Sequence, residues 1–369
     1  MLPLVSLRAS WLLDTQVRVR VTLLDCGTLS RHMLQLDNKT PYAAERTIVM
    51  SKTGEKSWVV VVRAAYYIRH DGTTELLAEQ KQPLYAAEHT GVPGESSIRY
   101  ETDMIPTKPA TDVVINGQAY APQGKPASAV TVAITVGPLR KSLVVFGDRH
   151  WEVALMGGLI MSSPTKFDRM PIIYEHAFGG WDKANPENEK LYPQNPIGRG
   201  FATKSNHLDG HRLPNVEYPH HLISSWKDRP PTAGLGAIAS YWSPRLEWGG
   251  TYDADWLKHK MPLLPDDFDD RFYQCAPVDQ QVRERLRGGE PVTLQNLTEA
   301  GFLRFVLPKV YLTFSSRFGK RRQEHRGSLQ TVIIEPDLPL VTLVWQTSLA
   351  CHHSIHELDT TVIREKRYI

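Results

Sequence analysis

The sequence predicts a mainly β protein built from antiparallel sheets in a sandwich-like arrangement, with little helix and one long irregular insertion. Alternating and continuous β-branched runs occur near both ends of the 369-residue chain, and both patterns are typical of strands. Between them, residues 163–275 lose this periodicity and are rich in Pro, Gly, Asn and aromatic side chains. This order favours one domain that carries a large insertion over one face or end of its sheets.

Composition places the chain among globular proteins and excludes several classes of partner. Hydrophobic residues make up 41% and charged residues 22%, as in folded domains. A net charge of +3 is too small to predict a nucleic-acid or anionic-membrane partner. Cys26, Cys275 and Cys351 are far apart and form no CxxC motif, so we expect reduced thiols and a cytoplasmic location.

Residues 1–32 are an N-terminal extension of uncertain role, ahead of a single domain expected over residues 33–369. A signal peptide fits poorly, because no basic stretch precedes a long apolar core. The extension is either an upstream over-read, with Met33 as the true start, or a genuine extra strand over residues 17–24, where apolar residues alternate.

The first strong strand signal is the apolar run over residues 58–68, WVVVVRAAYYI, which predicts a strand buried on both faces. Asp71-Gly72 follows, and residues 73–78 continue the pattern. An Asp-Gly pair between two such runs predicts a two-residue hairpin turn, since both turn positions need positive φ. Residues 82–95 contain two prolines and two glycines and are expected to form a loop.

Residues 98–151 are the stretch around which the chain is organised. Over residues 130–136 the apolar residues occupy every second position, so one face of the predicted strand is a Val and Ile stripe. Residues 137–140 break the run and residues 141–146 resume it, which predicts a hairpin with a short loop.

The first half of this stretch places Asp103, Lys108 and Asp112 beside Pro106 and Pro109. Prolines favour extended geometry, so we expect the segment to lie along a sheet. The three charges form either a structural ion-pair network or an acid/base set. We favour the structural interpretation, because no nucleophile or metal motif lies nearby.

The C-terminal third predicts one helix and several strands. The helix is expected over residues 279–287, since Val278, Val282 and Leu286 share one face and Gly288 provides a stop. Strands are expected over residues 303–307, 310–314, 328–335 and 340–347, and residues 359–369 form a charged, strand-like tail.

Several long motifs together resemble a bacterial family of unknown function, domain-of-unknown-function family 2169. The resemblance runs from about Leu36 to the C-terminus and is carried by RYETDMIPTKPATDVVINGQAYAP, FDRMPIIYEHAFGGWD, NPIGRGF, YWSPRLEWGGTYDADW and PLLPDDFDDRF. Members of that family typically sit in type VI secretion gene clusters and are thought to load toxic effectors onto the spike. The resemblance therefore implies a non-enzymatic adaptor or chaperone in the cytoplasm. Its implied partners are an effector toxin and the spike (valine-glycine repeat) or PAAR-type tip protein.

No complete catalytic, cofactor or metal motif is present: the chain lacks GxSxG, HExxH, a Walker A loop and a dinucleotide fingerprint. Two clusters contain residue types that could form a metal or nucleophile site, and in both a solvated loop or turn is the favoured interpretation. The first cluster contains His207, His211, His220 and His221. It is not expected to be helical, so the spacing of its residues does not place the rings on one face. The second cluster contains Cys351, His352, His353, His356 and Glu357.

Partner-binding candidates come from the aromatic insertion and from one basic run, because Trp and Arg dominate interface energies. Residues 317–326 (RFGKRRQEHR) predict a hairpin tip that is either a solvated loop or a contact for an acidic partner. Residues 198–201 suggest a phosphate loop, or a tight turn with its arginine paired to a carboxylate. The candidate residues are Trp181, Arg199, Trp226, Trp248, Lys320, Arg321 and Arg322.

Two functions from different classes remain open. The first is the adaptor, with no cofactor and no metal. The second is a hydrolase acting on a polar polymer through carboxylates such as Asp103, Asp148 or Glu175. Two carboxylates facing each other across a cleft, ~5–10 Å apart, would favour the hydrolase.

Overall fold

Strands dominate the computed structural model, which describes residues 34–351 and 355–366. In chain order the strands begin with β1 (Gln35–Asn38), β2 (Ala43–Met50), β3 (Lys56–Ile68), β4 (Thr74–Leu76), β5 (Glu88–His89), β6 (Ile98–Tyr100), β7 (Thr111–Ile115), β8 (Gln118–Tyr120), β9 (Ala129–Val136), β10 (Leu139–Phe146), β11 (Trp151–Val153) and β12 (Leu159–Met161). They continue with β13 (Arg169–Pro171), β14 (Phe178–Gly179), β15 (Trp181–Asp182), β16 (Lys190–Leu191), β17 (Arg199–Gly200), β18 (Val216–Glu217), β19 (Gln281–Val282), β20 (Pro291–Gln295), β21 (Phe302–Val306), β22 (Leu312–Phe318), β23 (Arg321–Arg326), β24 (Ser328–Glu335), β25 (Leu340–Ala350) and β26 (Leu358–Glu365).

Helix is scarce in this part of the chain, as expected. The α-helices are Arg245–Trp248 and Ala254–His259, and the 3-10 helices are Pro122–Gly124, Tyr174–His176, Asp270–Tyr273, Val278–Gln280 and Ile355–Glu357. No helix among the described residues has the length and apolar character to cross a membrane.

Three larger sheets organise the strands. The seven-stranded sheet has the order β19-β7-β24-β25-β3-β2, with β4 added to β3. The five-stranded sheet has the order β18-β10-β9-β20-β21, and the four-stranded sheet has the order β1-β26-β22-β23. Pairing within them is antiparallel except between β7 and β24 and between β1 and β26. The predicted antiparallel β architecture is therefore confirmed.

The main hydrophobic core joins all three sheets. In β9 the predicted stripe of Val130, Val132, Ile134 and Val136 is buried in this core, and β9 and β10 form the predicted hairpin. Burial of each such side chain contributes roughly 1.5–3 kcal/mol. Alternate residues of β3, from Trp58 onward, join the same core.

The irregular insertion covers the other face of the seven-stranded sheet. Val114 of β7 and Ile333 of β24 pack there against Tyr174, Trp242 and Cys275. β3 is also buried on both faces, as predicted, and there Val59 and Val61 pack against Val344 and Met104. Aromatic packing thus holds a segment that has only short strands of its own.

Two predictions of local structure are wrong. The helix expected over residues 279–287 is instead a single 3-10 turn followed by β19, which pairs with β7. The hairpin at Asp71-Gly72 exists between β3 and β4, but its loop is longer than two residues, and only Gly72 has positive φ. The predicted extra strand over residues 17–24 lies outside the described residues.

Candidate functional site

The segment that contains Asp103, Lys108 and Asp112 lies across the second face of the seven-stranded sheet. Lys108 Nζ is 2.6 Å from a carboxylate oxygen of Asp112, and both side chains are buried. Asp103 does not join this pair; its carboxylate binds Arg63 of β3 at 2.8 Å. The structural ion pairing is therefore confirmed for Lys108 and Asp112, whereas a single network of all three charges is wrong, because Asp103 pairs with Arg63 instead. Because buried charges are costly unless they are paired, these residues hold the segment to the sheet.

Cys275 contacts the Lys108–Asp112 pair, and we call Arg63, Asp103, Lys108, Asp112 and Cys275 the polar layer. Its Sγ atom is 3.5 Å from Lys108 Nζ, and its backbone N–H donates to Asp112 at 2.8 Å. Burial raises the pKa of the Cys275 thiol to about 12, although Lys108 opposes the shift. The thiol is therefore protonated at neutral pH and is a poor nucleophile.

Each of the carboxylates considered for a hydrolase accepts hydrogen bonds within the fold. Asp103 is committed to Arg63 and to the backbone N–H of Leu84. Glu175 accepts hydrogen bonds from the backbone and hydroxyl of Ser97. Asp148 accepts from Asn215 at 3.1 Å.

Arg199 sits near two of these carboxylates, but its hydrogen bonds go elsewhere. Burial lowers the pKa of Arg199, while Asp148 and Glu175 oppose this shift. Arg199 Nε donates at 2.7 Å to the backbone carbonyl oxygen of Glu175, and the guanidinium also binds the Asn215 side chain. The expected pairing with a carboxylate is therefore corrected to a carbonyl and an amide.

The glycines beside Arg199 make room for the protein's own backbone. A Cβ atom on Gly198 would lie 2.7 Å from the carbonyl oxygen of Ala177, and one on Gly200 would lie 2.8 Å from Pro214. The backbone N–H groups of Gly198, Arg199 and Phe201 already donate to carbonyl oxygens of the protein, so they are not available to form a phosphate loop.

The first histidine cluster is closer in space than its sequence suggested. The rings of His207 and His211 lie edge to face with centroids 5.6 Å apart, and His207 Nε2 is 3.4 Å from Asp182. The expectation that the non-helical spacing would separate these rings is wrong, because the loop turns locally: the backbone N–H groups of Leu208 and His211 donate to the carbonyl oxygens of Ser205 and Leu208. His220 and His221 are exposed near the end of β18.

The second cluster falls partly outside the described residues. Cys351 is buried, and its backbone pairs with Lys56. His356 and Glu357 lie in a 3-10 helix, while His352 and His353 are outside the described part. Within residues 34–351 and 355–366, no three His, Cys, Asp or Glu side chains are arranged to hold a metal ion.

The seven candidate partner residues occupy different parts of the fold. Trp181 on β15 is 47% exposed, and Trp226 packs on a small cluster formed around Trp151 and Phe178. Trp248 lies under Arg271, with the guanidinium 4.9 Å from the ring centroid. The last candidates, Lys320, Arg321 and Arg322, are exposed on the β22–β23 hairpin, which confirms the predicted hairpin tip.

Five of the large apolar side chains that are exposed in the described part of the chain lie in one hairpin, formed by β11 and β12, which the sequence reasoning missed. Its turn places Leu155 and Met156 fully in solvent, with relative exposures of 106% and 99%. The strands expose three more apolar side chains: Val153, Ile160 and Met161. We call residues 153–161 the apolar hairpin. The signal in the sequence was a Gly-Gly turn flanked by apolar residues, where turns are usually polar.

The apolar hairpin is firmly attached at its base. Trp151 is 3% exposed, and its backbone N–H and carbonyl bond to His211 and Gly210. The backbone N–H of Val153 donates to the Asp209 carboxylate at 3.1 Å. A rigid base beneath an apolar tip suits insertion into a pocket of a partner, since little ordering of the chain is needed on binding.

A cleft opens where the parallel strands β7 and β24 both end. It encloses about 270 Å³ and is lined by residues that include Arg99, Asn116, Tyr174, Glu335 and Asp337. The Glu335 carboxylate accepts hydrogen bonds from Arg99 at 2.9 Å and from the Tyr100 hydroxyl at 2.7 Å. Arg99 and Glu335 therefore neutralise each other, and Asp337, which accepts from the Tyr120 hydroxyl at 2.6 Å, leaves the cleft with one negative charge.

Comparison with known families matches residues 53–346 to an uncharacterized protein family conserved in bacteria, DUF2169. The chain belongs to this family. The match spans the polar layer, the insertion, the apolar hairpin and most of the strands, while β1, β2 and β26 lie outside it. Comparisons with curated proteins and with solved structures find no match.

Proposed function

We propose that this DUF2169 protein is a non-enzymatic adaptor or chaperone of the bacterial cytoplasm. It binds a type VI secretion effector and helps to load it onto the spike, either the valine-glycine repeat protein or its PAAR-type tip. The observation that carries the proposal is the apolar hairpin, a rigid projection with fully exposed Leu155 and Met156. Its chemistry fits a protein partner, because exposed apolar patches mark interaction sites.

Two further observations support a binding role. Of the carboxylates considered for hydrolysis, Asp103 and Glu175 already bind protein donors in the fold. Methionine is flexible and polarisable, so Met156 and Met161 can adapt to an irregular apolar surface. Burial of the two tip side chains would contribute roughly 1.5–3 kcal/mol each. This is enough to make the hairpin an anchor within an affinity of order 10⁻⁶–10⁻⁹ M.

The proposal is tested by co-expressing the protein with the neighbouring effector and spike genes and capturing each in turn. Leu155→Ser/Met156→Ser should fold normally and lose effector affinity at least about tenfold, because the lost apolar contact is large. Val92→Ser/Val278→Ser is the matched control, since both valines are exposed apolar side chains outside the hairpin. The control should bind like the wild type.

In cells, deletion of the gene should abolish delivery of the cognate effector while sheath contraction continues. Delivery that persists without the gene, or turnover of a substrate by the pure protein, would overturn the proposed function. If Leu155→Ser/Met156→Ser captures the effector as well as the wild type does, the apolar hairpin is not the contact.

A further inference from the structure

The outward face of the four-stranded sheet carries four arginines around small side chains. Thr313 of β22 lies opposite Arg326 on β23 and opposite Arg364 on β26. Four residues further along β22, on the same face, Arg317 lies opposite Arg322 on β23. Directly opposed residues on neighbouring strands point to the same side of a sheet. We call Arg317, Arg322, Arg326 and Arg364 the basic face.

Burial confirms which side faces solvent. Alternate residues of β22, including Phe314 and Phe318, are buried in the core, whereas the four arginines of the basic face are exposed. On β22 the side chains between them, Thr313 and Ser315, are short, whereas Glu324 of β23 and Val362 of β26 lie opposite Ser315 on the same face. The arginines can therefore reach a ligand that lies on this face, beside one exposed carboxylate.

The charge of this face is only partly balanced within the protein. Two of its arginines are held by neighbouring carboxylates, in the pairs Arg317–Asp359 (3.3 Å) and Arg322–Glu324 (3.1 Å). Arg326 and Arg364 have no carboxylate partner among the residues that the structure describes. Lys320 adds a further exposed charge at the β22–β23 turn. The surplus positive charge is complementary to an acidic partner.

Strand β23 also offers an open main-chain edge. It is the last strand of its sheet and pairs with β22 along its whole length. Edge strands of this kind can accept an extended peptide as an added strand. Charged side chains on an edge also protect it from aggregation, but that role predicts no specific ligand.

From the open edge and the surplus charge together, we infer that β23 and the basic face bind an extended acidic segment of a partner protein. The segment adds to the β23 edge through main-chain hydrogen bonds, and its carboxylates meet Arg326 and Arg364. This inference rests on the proposed function for the identity of the partner, and it gives the adaptor a second contact, separate from the apolar hairpin. An adaptor that hands cargo to a spike needs two such surfaces.

A fluorescein-labelled peptide of alternating Glu and Thr is the probe, measured by fluorescence anisotropy against the full-length protein. Binding should weaken as salt is raised, because exposed charges are screened. Arg326→Glu/Arg364→Glu should reduce affinity at least about tenfold, because two attractive contacts become repulsive. Arg326→Gln/Arg364→Gln, which breaks no ion pair and adds no repulsion, should give a smaller loss.

The matched control is Arg140→Glu/Arg304→Glu, two exposed arginines on the outward face of the five-stranded sheet. This control should bind the peptide like the wild type. A peptide with N-methyl groups at alternate residues tests strand addition, since it keeps the charge but loses main-chain donors. Its affinity should fall.

Three results would overturn the inference: no binding of the acidic peptide, equal binding by the charge-reversed variant, or tighter binding of single-stranded DNA or anionic vesicles than of the peptide. The peptide assay needs neither effector nor spike. If the protein does not bind the peptide but still captures the effector, only the binding role of the basic face is rejected. If the protein binds the peptide but the effector is delivered equally well without the gene, the proposed function is rejected instead.

Discussion

Lys108 and Asp112 form a salt bridge of 2.6 Å inside the protein, four residues apart on the segment that crosses the seven-stranded sheet. Lys108 Nζ also donates to the Thr331 hydroxyl of β24 at 2.9 Å. Asp112 belongs to β7, so the lysine joins two neighbouring strands. Its ammonium group thus links the polar layer to the sheet at a point that solvent does not reach.

Replacing this lysine should destabilise the protein strongly. Lys108→Met leaves the Asp112 carboxylate buried without its cation, which costs about 3–5 kcal/mol. Lys39→Met is the matched control, because it removes an exposed Lys–Asp pair at 2.8 Å and should change stability by less than about 1 kcal/mol. Urea unfolding measures both. If Lys108→Met unfolds like the wild type yet loses partner binding, the segment is a functional site instead.

The base and the tip of the apolar hairpin should respond differently to mutation. Trp151→Ala removes a buried ring and should lower the free energy of unfolding by about 3–5 kcal/mol. Met156→Ala removes a side chain already in water and should leave stability within about 0.5 kcal/mol of the wild type. Thermal denaturation checks both. Equal melting temperatures would mean that Trp151 does not anchor the hairpin.

His325 should make stability depend on pH. Its ring stacks on Phe314 with centroids 5.7 Å apart and bonds Ser316 and Thr347 hydroxyls at 2.9 and 2.7 Å. Burial lowers the pKa of His325 to about 4, whereas an unfolded histidine titrates near 6.5. As pH falls between these values, the unfolded state takes up the proton first. The histidine's contribution is therefore fully present above about pH 6.5 and is lost progressively toward pH 4.

The comparison with His325→Gln isolates this effect. Glutamine does not titrate, so the difference in free energy of unfolding between wild type and variant should shrink as pH falls from about 7 to about 4.5. The carboxylates titrate in both proteins, so their contributions to the free energy of unfolding cancel in the difference. Urea unfolding at several pH values gives the curves. A constant difference across this range would show that His325 keeps its ordinary pKa.

Two glycines should differ sharply in their tolerance of alanine. A Cβ atom on Gly147 would lie 1.9 Å from the backbone carbonyl oxygen of Thr165, so the chain must shift to accept it. At Gly236 the nearest atom would be 3.7 Å away, an ordinary contact. Gly147→Ala should lower the free energy of unfolding by about 1–3 kcal/mol, and Gly236→Ala by much less. Urea denaturation tests the pair, and equal midpoints would contradict the close approach at Gly147.

The strands were predictable because their signal is local. The stripe from Val130 to Val136 and the apolar run of β3 depend only on which residues alternate or follow one another. The helix predicted over residues 279–287 failed for the opposite reason. There the buried Gln280 amide donates to the carbonyl oxygens of Val113 and Leu235 at 2.7 and 2.9 Å, and these distant partners outweigh a weak helical preference.

The same distinction between local and distant contacts separates the parts of the candidate site that could be predicted from those that could not. Lys108 and Asp112 are close in sequence, so their pairing could be expected, whereas the Arg63–Asp103 pair joins positions far apart in the chain and was not foreseen. The exposed tip of the apolar hairpin was missed, because composition predicts burial for Leu and Met. In the tertiary structure Trp151 is buried in a cluster of distant residues, and the apolar residues of the turn that follows remain in solvent.

By itself, the sequence determined the β class, most of the long strands and the irregular character of the insertion, since these follow from side-chain periodicity and turn chemistry over a few residues. The tertiary structure alone decided which sheets share a core, which charges are paired and which apolar side chains remain in water. Those properties depend on contacts between residues far apart in the chain. Their free energy comes from desolvation and packing, which no local pattern records.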